Sequence, residues 1–131
     1  MSIFDKLFEE AKAARETAYA PYSNFKVGSA ILTESGEVVR GCNVENAAFP
    51  EGVCAEAGAI SAMHLAGQTR IKEVVVVADA ALCTPCGGCR QKLSEFAGND
   101  VKVHVADLNG LRKTFTVGEL LPAGFQLHDD K

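Results

Sequence analysis

The residues Val74-Val75-Val76-Val77-Ala78 are the stretch that decides the fold of this chain. Valine favours β-strands because its branched side chain packs well on a pleated surface. No polar residue interrupts the run, and a strand that is apolar at successive positions is typically covered on both faces. The run therefore predicts a central β-strand with helices packed on either side of the sheet.

The segments around this run alternate between the periodicities of helices and strands. Upstream, the pattern predicts a helix over 3–18 and a β-hairpin over 25–44 with its turn at 34–37. A second helix is predicted over about 54–66. Downstream, it predicts a third helix over 91–97 and two strands, one over 101–105 and the other over 114–117. This order predicts an α/β fold, a three-layer α/β/α sandwich with a mixed five-stranded sheet.

Residues that favour caps or breaks mark the predicted helix ends. Ser2 and Asp5 have the spacing of a capping box, so the first helix should begin directly after Ser2. This helix should end before Pro21, because the residue that precedes a proline avoids the α-helical region. Gly67 and Gly98 are placed to end the second and third helices.

Length, composition and charge limit the classes of protein that this chain can belong to. With 131 residues, of which 47% are hydrophobic and 23% charged, we expect a single domain over residues 1–131. Thirteen basic and 17 acidic residues give a net charge of −4 without a basic cluster, which argues against a nucleic-acid partner. The longest apolar runs are too short to cross a membrane, and the first residues lack the order of a signal peptide. We therefore expect a cytoplasmic protein with no membrane partner.

The five cysteines indicate the chemistry. In a reducing compartment, an odd number of cysteines favours metal ligands or catalytic groups over disulfides. Cys86 and Cys89 have the C-x2-C spacing that lets two thiolates bind one tetrahedral ion, and Cys54 can supply a third from the start of another helix. Three protein ligands with an open fourth position are typical of catalytic zinc. Glu56 could then move protons to and from a zinc-bound water.

Two motifs in this order resemble the zinc-dependent deaminase superfamily. The sequence Cys54-Ala55-Glu56 is followed, after 28 residues, by Pro85-Cys86-Gly87-Gly88-Cys89. Residues 19–30 are similar to the first strand of cytidine deaminases, and residues 41–47 are similar to their ribose-binding segment. The chain thus resembles, over nearly its whole length, the short, three-cysteine, homotetrameric type of cytidine deaminase.

This resemblance implies a mechanism. One Zn²⁺ per subunit is held by Cys54, Cys86 and Cys89, and a zinc-bound hydroxide attacks C4 of cytidine. Glu56 is the proton shuttle: it takes a proton from the zinc-bound water, protonates ring N3 and later passes a proton to the departing ammonia. Hydrolytic deamination of cytidine and of deoxycytidine yields uridine or deoxyuridine, a reaction of pyrimidine salvage.

The resemblance also implies the substrate contacts and the assembly. The implied substrate-binding residues are Phe25, Asn43, Glu45 and Ala55. Phe25 packs against the pyrimidine, and Asn43 and Glu45 hydrogen-bond the ribose. In an extended strand Asn43 and Glu45 project from one face, with Val44 turned towards the core. Four subunits form a homotetramer, in which Phe125 closes the pocket of a neighbouring subunit.

One position departs from the family pattern. Many relatives carry Arg directly after the catalytic Glu, whereas this chain has Ala57. Three thiolates on Zn²⁺ sum to −1, which makes the metal a poorer Lewis acid. The amides at two helix N-termini are one source of compensating positive charge. Arg90 is the other candidate, because it lies four residues after Cys86 and helical side chains lean towards the N-terminus.

Other interpretations of the same residues stay open at this point. In a structural zinc module, Cys42 or Cys83 would close a four-cysteine site and leave Glu56 without a role. An iron–sulfur cluster is disfavoured, because the ferredoxin run needs a further cysteine where this chain has Leu93. A related deaminase could act on a modified nucleoside or on a base within RNA, although the acidic balance disfavours a polynucleotide. Phe25, at strand spacing, could also belong to the core.

Overall fold

The computed structural model describes residues 1–127. These residues form four α-helices: α1 Ile3–Glu16, α2 Ala55–Leu65, α3 Gly87–Phe96 and α4 Val117–Leu120. They also form five strands: β1 Val27–Thr33, β2 Val38–Cys42, β3 Ile71–Ala78, β4 Lys102–Asp107 and β5 Gly110–Thr116. None of these helices has the length and apolar character needed to span a bilayer.

The strands form one mixed sheet in the order β2-β1-β3-β4-β5. Strands β3 and β4 are parallel, and the other neighbours are antiparallel. The valine run lies in β3 at the centre of the sheet, and Val74 to Ala78 are at most 1% exposed. The predictions of a mixed five-stranded sheet and of a fully covered central strand are confirmed.

Helices cover both faces of this sheet, as the three-layer prediction requires. The cluster on the α1 side consists of Leu7, Ala11, Ala30, Leu32, Val75, Val77 and Ala106. The cluster on the α2 and α3 side includes Ile31, Ala59, Met63, Val74, Val76, Leu93 and Val103. Successive residues of β3 therefore enter different clusters, because side chains alternate between the two faces of a strand.

The capping signals of the first two helices are confirmed. Ser2 Oγ accepts a hydrogen bond from Asp5 N at 3.1 Å, and Ser2 N donates to the Asp5 carboxylate at 3.4 Å. Helix α1 then ends before Pro21. Gly67 follows α2 with a φ of +82°, the left-handed region that favours glycine at a helix end.

Three predicted boundaries further along the chain were wrong. Helix α3 begins at Gly87, four residues earlier than predicted, because Cys86 is its N-cap and the first turn tolerates glycine. It ends where Ala97 becomes extended, at a φ of −137°, and not at Gly98. Strand β5 begins at Gly110, also four residues earlier, because it pairs with β4 as far as that residue.

Helix α2 lies very close to β2. A Cβ on Gly41 would stand 2.3 Å from Ala59 N and 2.5 Å from Ala55 O, so only glycine fits at this crossing. The close approach fixes the first turn of α2 against the sheet. That turn carries Cys54 and Glu56.

Candidate active site

The first turns of α2 and α3 bring three cysteine sulfurs together. Cys54 is the N-cap of α2, Cys86 is the N-cap of α3, and Cys89 lies in the first turn of α3. The three sulfurs all lie within 4.8 Å of one another, and Cys54 Sγ is 4.0 Å from Cys86 Sγ. The three cysteines predicted as zinc ligands therefore converge on one point.

The donor set and its spacing fit a zinc ion. Zinc–thiolate bonds of about 2.3 Å in a tetrahedron place two sulfurs about 3.8 Å apart, close to the separation of Cys54 and Cys86. Three cysteines leave a fourth position free for water or substrate. In the part of the chain that the structure describes, neither Cys42 nor Cys83 joins the group, so a four-cysteine structural site does not form.

The three thiols lie in different electrostatic surroundings. Backbone amides of Cys89 and Gly88, at the N-terminus of α3, donate to the Cys86 sulfur and hold the pKa of that thiol below its usual value. Burial raises the pKa of Cys54, and the Cys86 charge raises it further. Burial and the charge of Glu56 also raise the pKa of Cys89. Two of the three thiols therefore need a bound cation in order to ionise near neutral pH.

Glu56 occupies a nearly dry position beside the cysteines. It is the second residue of α2, and only 4% of it is exposed. Burial raises the pKa of its carboxyl, and hydrogen bonds together with the positive charge of Lys92 oppose this shift only in part. A glutamic acid with a raised pKa can hold and release a proton closer to neutral pH, which suits general acid–base catalysis.

A cleft of about 250 Å³ brings these groups together with residues from three other segments. Seven of its lining residues were predicted as site residues: Phe25, Asn43, Glu45, Cys54, Ala55, Glu56 and Cys86. Cys89, the third predicted ligand, is 1% exposed and lies outside the lining. Arg90 and Phe125 are also outside it.

Asn43 joins the wall of the cleft to the start of β1. Its Oδ1 accepts from Val27 N at 2.8 Å, and its Nδ2 donates to Phe25 O at 2.8 Å. Phe25 itself is 37% exposed and borders the cleft, so it is not a core residue. The amide of Asn43 therefore fixes the backbone that presents the Phe25 ring.

Glu45 is held by the turn that precedes β1. Its Oε1 accepts from Tyr22 N at 2.9 Å and from Ser23 N at 3.1 Å, and its Oε2 accepts from the Ser23 hydroxyl. The bond from the Ser23 hydroxyl, together with the two amide bonds, holds the pKa of Glu45 below its usual value. Glu45 therefore places a negative charge at the cleft.

The expected orientation of Val44 was wrong. Val44 is 47% exposed and does not turn into the core. Strand β2 is an edge strand that ends at Cys42, and Val44 continues only through isolated bridges to Tyr19 and Val53. Beyond the end of an edge strand no core lies beneath the side chain, so strict alternation no longer implies burial.

Arg90 donates to the loop that carries Cys86. Its Nε donates to Pro85 O at 2.7 Å, and its Nη2 donates to Thr84 Oγ1 at 3.2 Å. Its Nη1 donates to Leu120 O, at the C-terminal end of α4, at 3.0 Å. The predicted lean towards the N-terminus of α3 is present, but the guanidinium braces the loop. The groups that lower the pKa of Cys86 are backbone amides, of Cys89 and Gly88, together with the neighbouring thiols, and Arg90 is not among them.

Phe125 lies on the surface near the C-terminal end of the described residues. Its side chain is 68% exposed, and its carbonyl accepts from Gln91 Nε2 at 2.9 Å. The hydrogen bond anchors this segment to α3 while the ring remains uncovered.

Sequence reasoning missed Ser23, Cys83 and Thr84, which also line the cleft. Cys83 does not join the metal ligands and is half-buried in the cleft wall. Ser23 had a readable signal, because a serine two residues before Phe25 can accept from its amide, and this bond forms at 3.0 Å. Thr84 had none, since its position depends on Arg90.

Comparisons with known proteins agree with this site. The family model described as the cytidine and deoxycytidylate deaminase zinc-binding region matches residues 1–105, which include the cysteine cluster and every residue of the cleft lining. A cytidine deaminase from Sporosarcina psychrophila is 42% identical over 126 residues, covering 95% of this chain and 93% of that protein. One from Halalkalibacterium halodurans is 43% identical over 124 residues, covering 94% of each. The crystal structure of a cytidine deaminase from Burkholderia pseudomallei matches with a TM-score of 0.89 and 41% identity, covering 95% of this chain and 100% of that one.

Proposed function

This chain belongs to the cytidine and deoxycytidylate deaminase family, and we propose how its residues carry out the chemistry, with residues 1–131 acting as one catalytic domain. It is a zinc-dependent cytidine deaminase, which hydrolyses cytidine to uridine and ammonia. The observation that carries this conclusion is the convergence of three sulfurs within 4.8 Å beside a glutamate that is 4% exposed. A structural zinc site would need a fourth protein ligand and would have no use for that carboxyl group.

The zinc ligands that we assign are Cys54, Cys86 and Cys89, with one ion per subunit. When bound there, zinc would lower the pKa of a water ligand to roughly 7 and so make a nucleophile available at neutral pH. Three thiolates exceed the charge of the ion by one, and the amides at the N-terminus of α3 offset part of this excess at Cys86. Ala57 contributes no charge, and Arg90 acts through the loop that it braces.

Glu56 moves the protons of the reaction. Deamination replaces the amino group on C4 by oxygen, so the attacking water gives up two protons: one reaches ring N3, and the other leaves with ammonia. The Glu56 carboxylate accepts each proton from the water oxygen and delivers it to the cytosine ring, the first to N3 and the second to the departing amino group. Its burial and raised pKa support this role, because a carboxyl whose pKa lies above the usual glutamate value gains and loses a proton more evenly than an ordinary surface carboxylate.

The cleft favours a nucleoside over a nucleotide. Phe25 borders the cleft as an apolar wall for the pyrimidine. Ala55, between Cys54 and Glu56 in the chain, also lines the cleft and contacts the substrate. The charge of Glu45 attracts a hydroxyl donor from the ribose and repels a phosphate. The Asn43 amide has two N–H groups and donates one of them to the backbone; its other N–H has no partner among residues 1–127, and this group supplies a second ribose contact. Contacts centred on the 3′-hydroxyl leave the 2′ position weakly recognised, so deoxycytidine should also be a substrate.

The proposed assembly is a homotetramer in which Phe125 closes a neighbouring pocket. Large aromatic side chains lie exposed on the surface: Phe49 is 73% exposed, Phe125 is 68% exposed and Tyr22 is 50% exposed. The rings of Tyr22 and Phe49 also touch edge to face, with centroids 5.8 Å apart. An exposed aromatic patch of this kind supports contact with another subunit. Sedimentation equilibrium should give four chains, and a fully active monomer would contradict the shared pocket.

The proposed setting is the cytoplasm, where the enzyme takes part in pyrimidine salvage. Zinc binds cysteine as thiolate, which only a reduced cysteine can form, and a reducing compartment keeps the five free cysteines of the chain reduced. An enzyme that acts on the free nucleoside converts cytidine to uridine for reuse.

A panel of substrates tests the nucleoside assignment. Zinc-loaded protein is incubated with cytidine, deoxycytidine, cytidine 5′-monophosphate or a cytosine-containing RNA, and products are separated by chromatography. We expect turnover of both nucleosides and a kcat/KM at least about 100-fold lower for the two phosphate-bearing substrates, because like charges facing each other cost several kcal/mol. A preference for the monophosphate or the RNA would contradict the assignment and favour a different deaminase of the same family.

A further inference from the structure

We propose that Ser23 is a positioning residue for this reaction: its hydroxyl fixes Glu45 and Phe25 relative to each other and so couples recognition of the sugar to placement of the base. The inference rests on the proposed function, since Glu45 and Phe25 act on a nucleoside only there. Ser23 itself needs no contact with the substrate for this role.

The Ser23 hydroxyl is the junction of two hydrogen bonds. It donates to Glu45 Oε2, and it accepts from Phe25 N at 3.0 Å. An ionised carboxylate can only accept and a backbone amide can only donate, so the direction of both bonds is fixed. A hydroxyl that serves both partners ties the position of one to that of the other.

The hydrogen bonds that Glu45 makes to the described residues leave one acceptor position of its carboxylate for a hydroxyl of the substrate. A carboxylate offers about four acceptor positions. Two on Oε1 are taken by Tyr22 N at 2.9 Å and Ser23 N at 3.1 Å, and one on Oε2 is taken by the Ser23 hydroxyl. The free position is therefore on Oε2, the oxygen whose orientation Ser23 controls.

The backbone of Phe25 is held from both sides. Ser23 Oγ binds its N–H, and Asn43 Nδ2 binds its carbonyl at 2.8 Å. Asn24, between Ser23 and Phe25, has a φ of +57°, a left-handed turn that few residues other than glycine and asparagine adopt readily. Glu45, Ser23, Phe25 and Asn43 thus form one connected chain of contacts, and all four line the cleft.

Three variants separate this role from a merely structural one. Ser23→Ala removes the hydroxyl, and Ser23→Thr keeps it. Ser35→Ala removes a serine whose hydroxyl, among the described residues, bonds within the β1–β2 turn, to Thr33 at 2.9 Å. Zinc content and thermal unfolding show that each variant is folded. Steady-state kinetics are then measured with cytidine, 2′-deoxycytidine and 3′-deoxycytidine.

For Ser23→Ala we expect kcat/KM for cytidine to fall by about 10- to 100-fold, mainly through KM, because a charge-assisted hydrogen bond to Glu45 is lost. On the deoxy substrate that lacks the hydroxyl bound by Glu45, the same variant should lose less than about threefold, because Ser23 acts through Glu45. Ser23→Thr should restore most of the cytidine activity, and Ser35→Ala should match the parent.

Equal losses on cytidine and on both deoxy substrates would overturn the coupling, as would a folded, zinc-loaded Ser23→Thr protein that stays as impaired as Ser23→Ala. Activity of the parent on cytidine decides the proposed function separately. A parent that leaves cytidine unchanged would overturn both, whereas an active parent with substrate-independent losses would overturn only the role of Ser23.

Discussion

Replacement of Gly41 by alanine should displace helix α2, which carries Glu56, although Gly41 itself does not line the active-site cleft. The new Cβ would stand 2.3 Å from Ala59 N, 2.5 Å from Ala55 O and 2.7 Å from the carbonyl carbon of Gly58, all of them backbone atoms of α2. A shift from 2.3 Å to an ordinary contact of about 3.4 Å requires α2 to retreat by about 1 Å. Overpacking of this kind typically costs about 1–3 kcal/mol of stability. Because Glu56 lies on the displaced turn, and a misplacement of about 1 Å can cost about 100-fold in rate, kcat/KM should fall by about that factor.

Gly58→Ala is the matched control for this prediction. Its Cβ would meet Cys42 O at 3.5 Å and Gly41 Cα at 3.6 Å, which are ordinary contacts on the same helix–strand interface. Alanine is also favoured over glycine inside a helix by about 0.5–1 kcal/mol, so this variant should keep its activity and unfold at an equal or higher temperature. Cytidine kinetics, zinc content and thermal unfolding are measured for both variants. A Gly41→Ala protein indistinguishable from the parent in all three would refute the packing argument.

Three further predictions concern the site itself. Glu56→Gln should keep zinc and the unfolding temperature but lose about 10²–10⁴-fold in kcat, because glutamine has the same shape and cannot exchange protons. A variant that retains a tenth of the parent kcat would remove Glu56 from the mechanism. Zinc affinity should fall as pH falls, because burial raises the pKa of the Cys54 and Cys89 thiols and both protons must leave when the metal binds. Chelator competition between pH 6 and 8 should show the affinity falling by at least about 100-fold per pH unit, since at least two protons leave for each ion bound. A pH-independent affinity would contradict thiolate ligation. Arg90→Gln should weaken zinc binding by about 10- to 100-fold, because the loop that carries Cys86 loses the hydrogen bonds from the guanidinium to Pro85 O and Leu120 O. Unchanged zinc affinity would make Arg90 dispensable for metal binding. The pH–rate profile of this variant tests whether Arg90 also offsets the thiolate charge.

Local sequence patterns predicted the elements whose causes are local. The capping box of Ser2 and Asp5 and the glycine after α2 depend on neighbours a few residues away, so they can be read directly. The valine run predicted the central strand, because apolar residues on both faces need two covering layers. The spacing of the cysteines and the position of Glu56 predicted the cluster, since helix starts hold their caps in a defined geometry.

Features that depend on distant partners could not be predicted in this way. Val44 follows the alternation of a strand, but the end of pairing at Cys42 is decided by the surrounding sheet. The i to i+4 spacing placed Arg90 near Cys86, yet the guanidinium found stronger acceptors in carbonyl groups, one of them on Leu120, 30 residues away. The contacts of Ser23 with Glu45 likewise join segments 22 residues apart.

Stepwise return of zinc to metal-free protein tests the central claim most directly. Zinc is added in known amounts to chelator-treated, reduced protein, and the loss of cytidine absorbance is followed together with uridine and ammonia. If Cys54, Cys86 and Cys89 hold a single catalytic ion, activity should rise in proportion to bound zinc and stop rising at one zinc per chain, with one uridine and one ammonia formed for each cytidine consumed. Full activity without metal, or a chain that binds one zinc at these cysteines and leaves cytidine unchanged, would contradict this account.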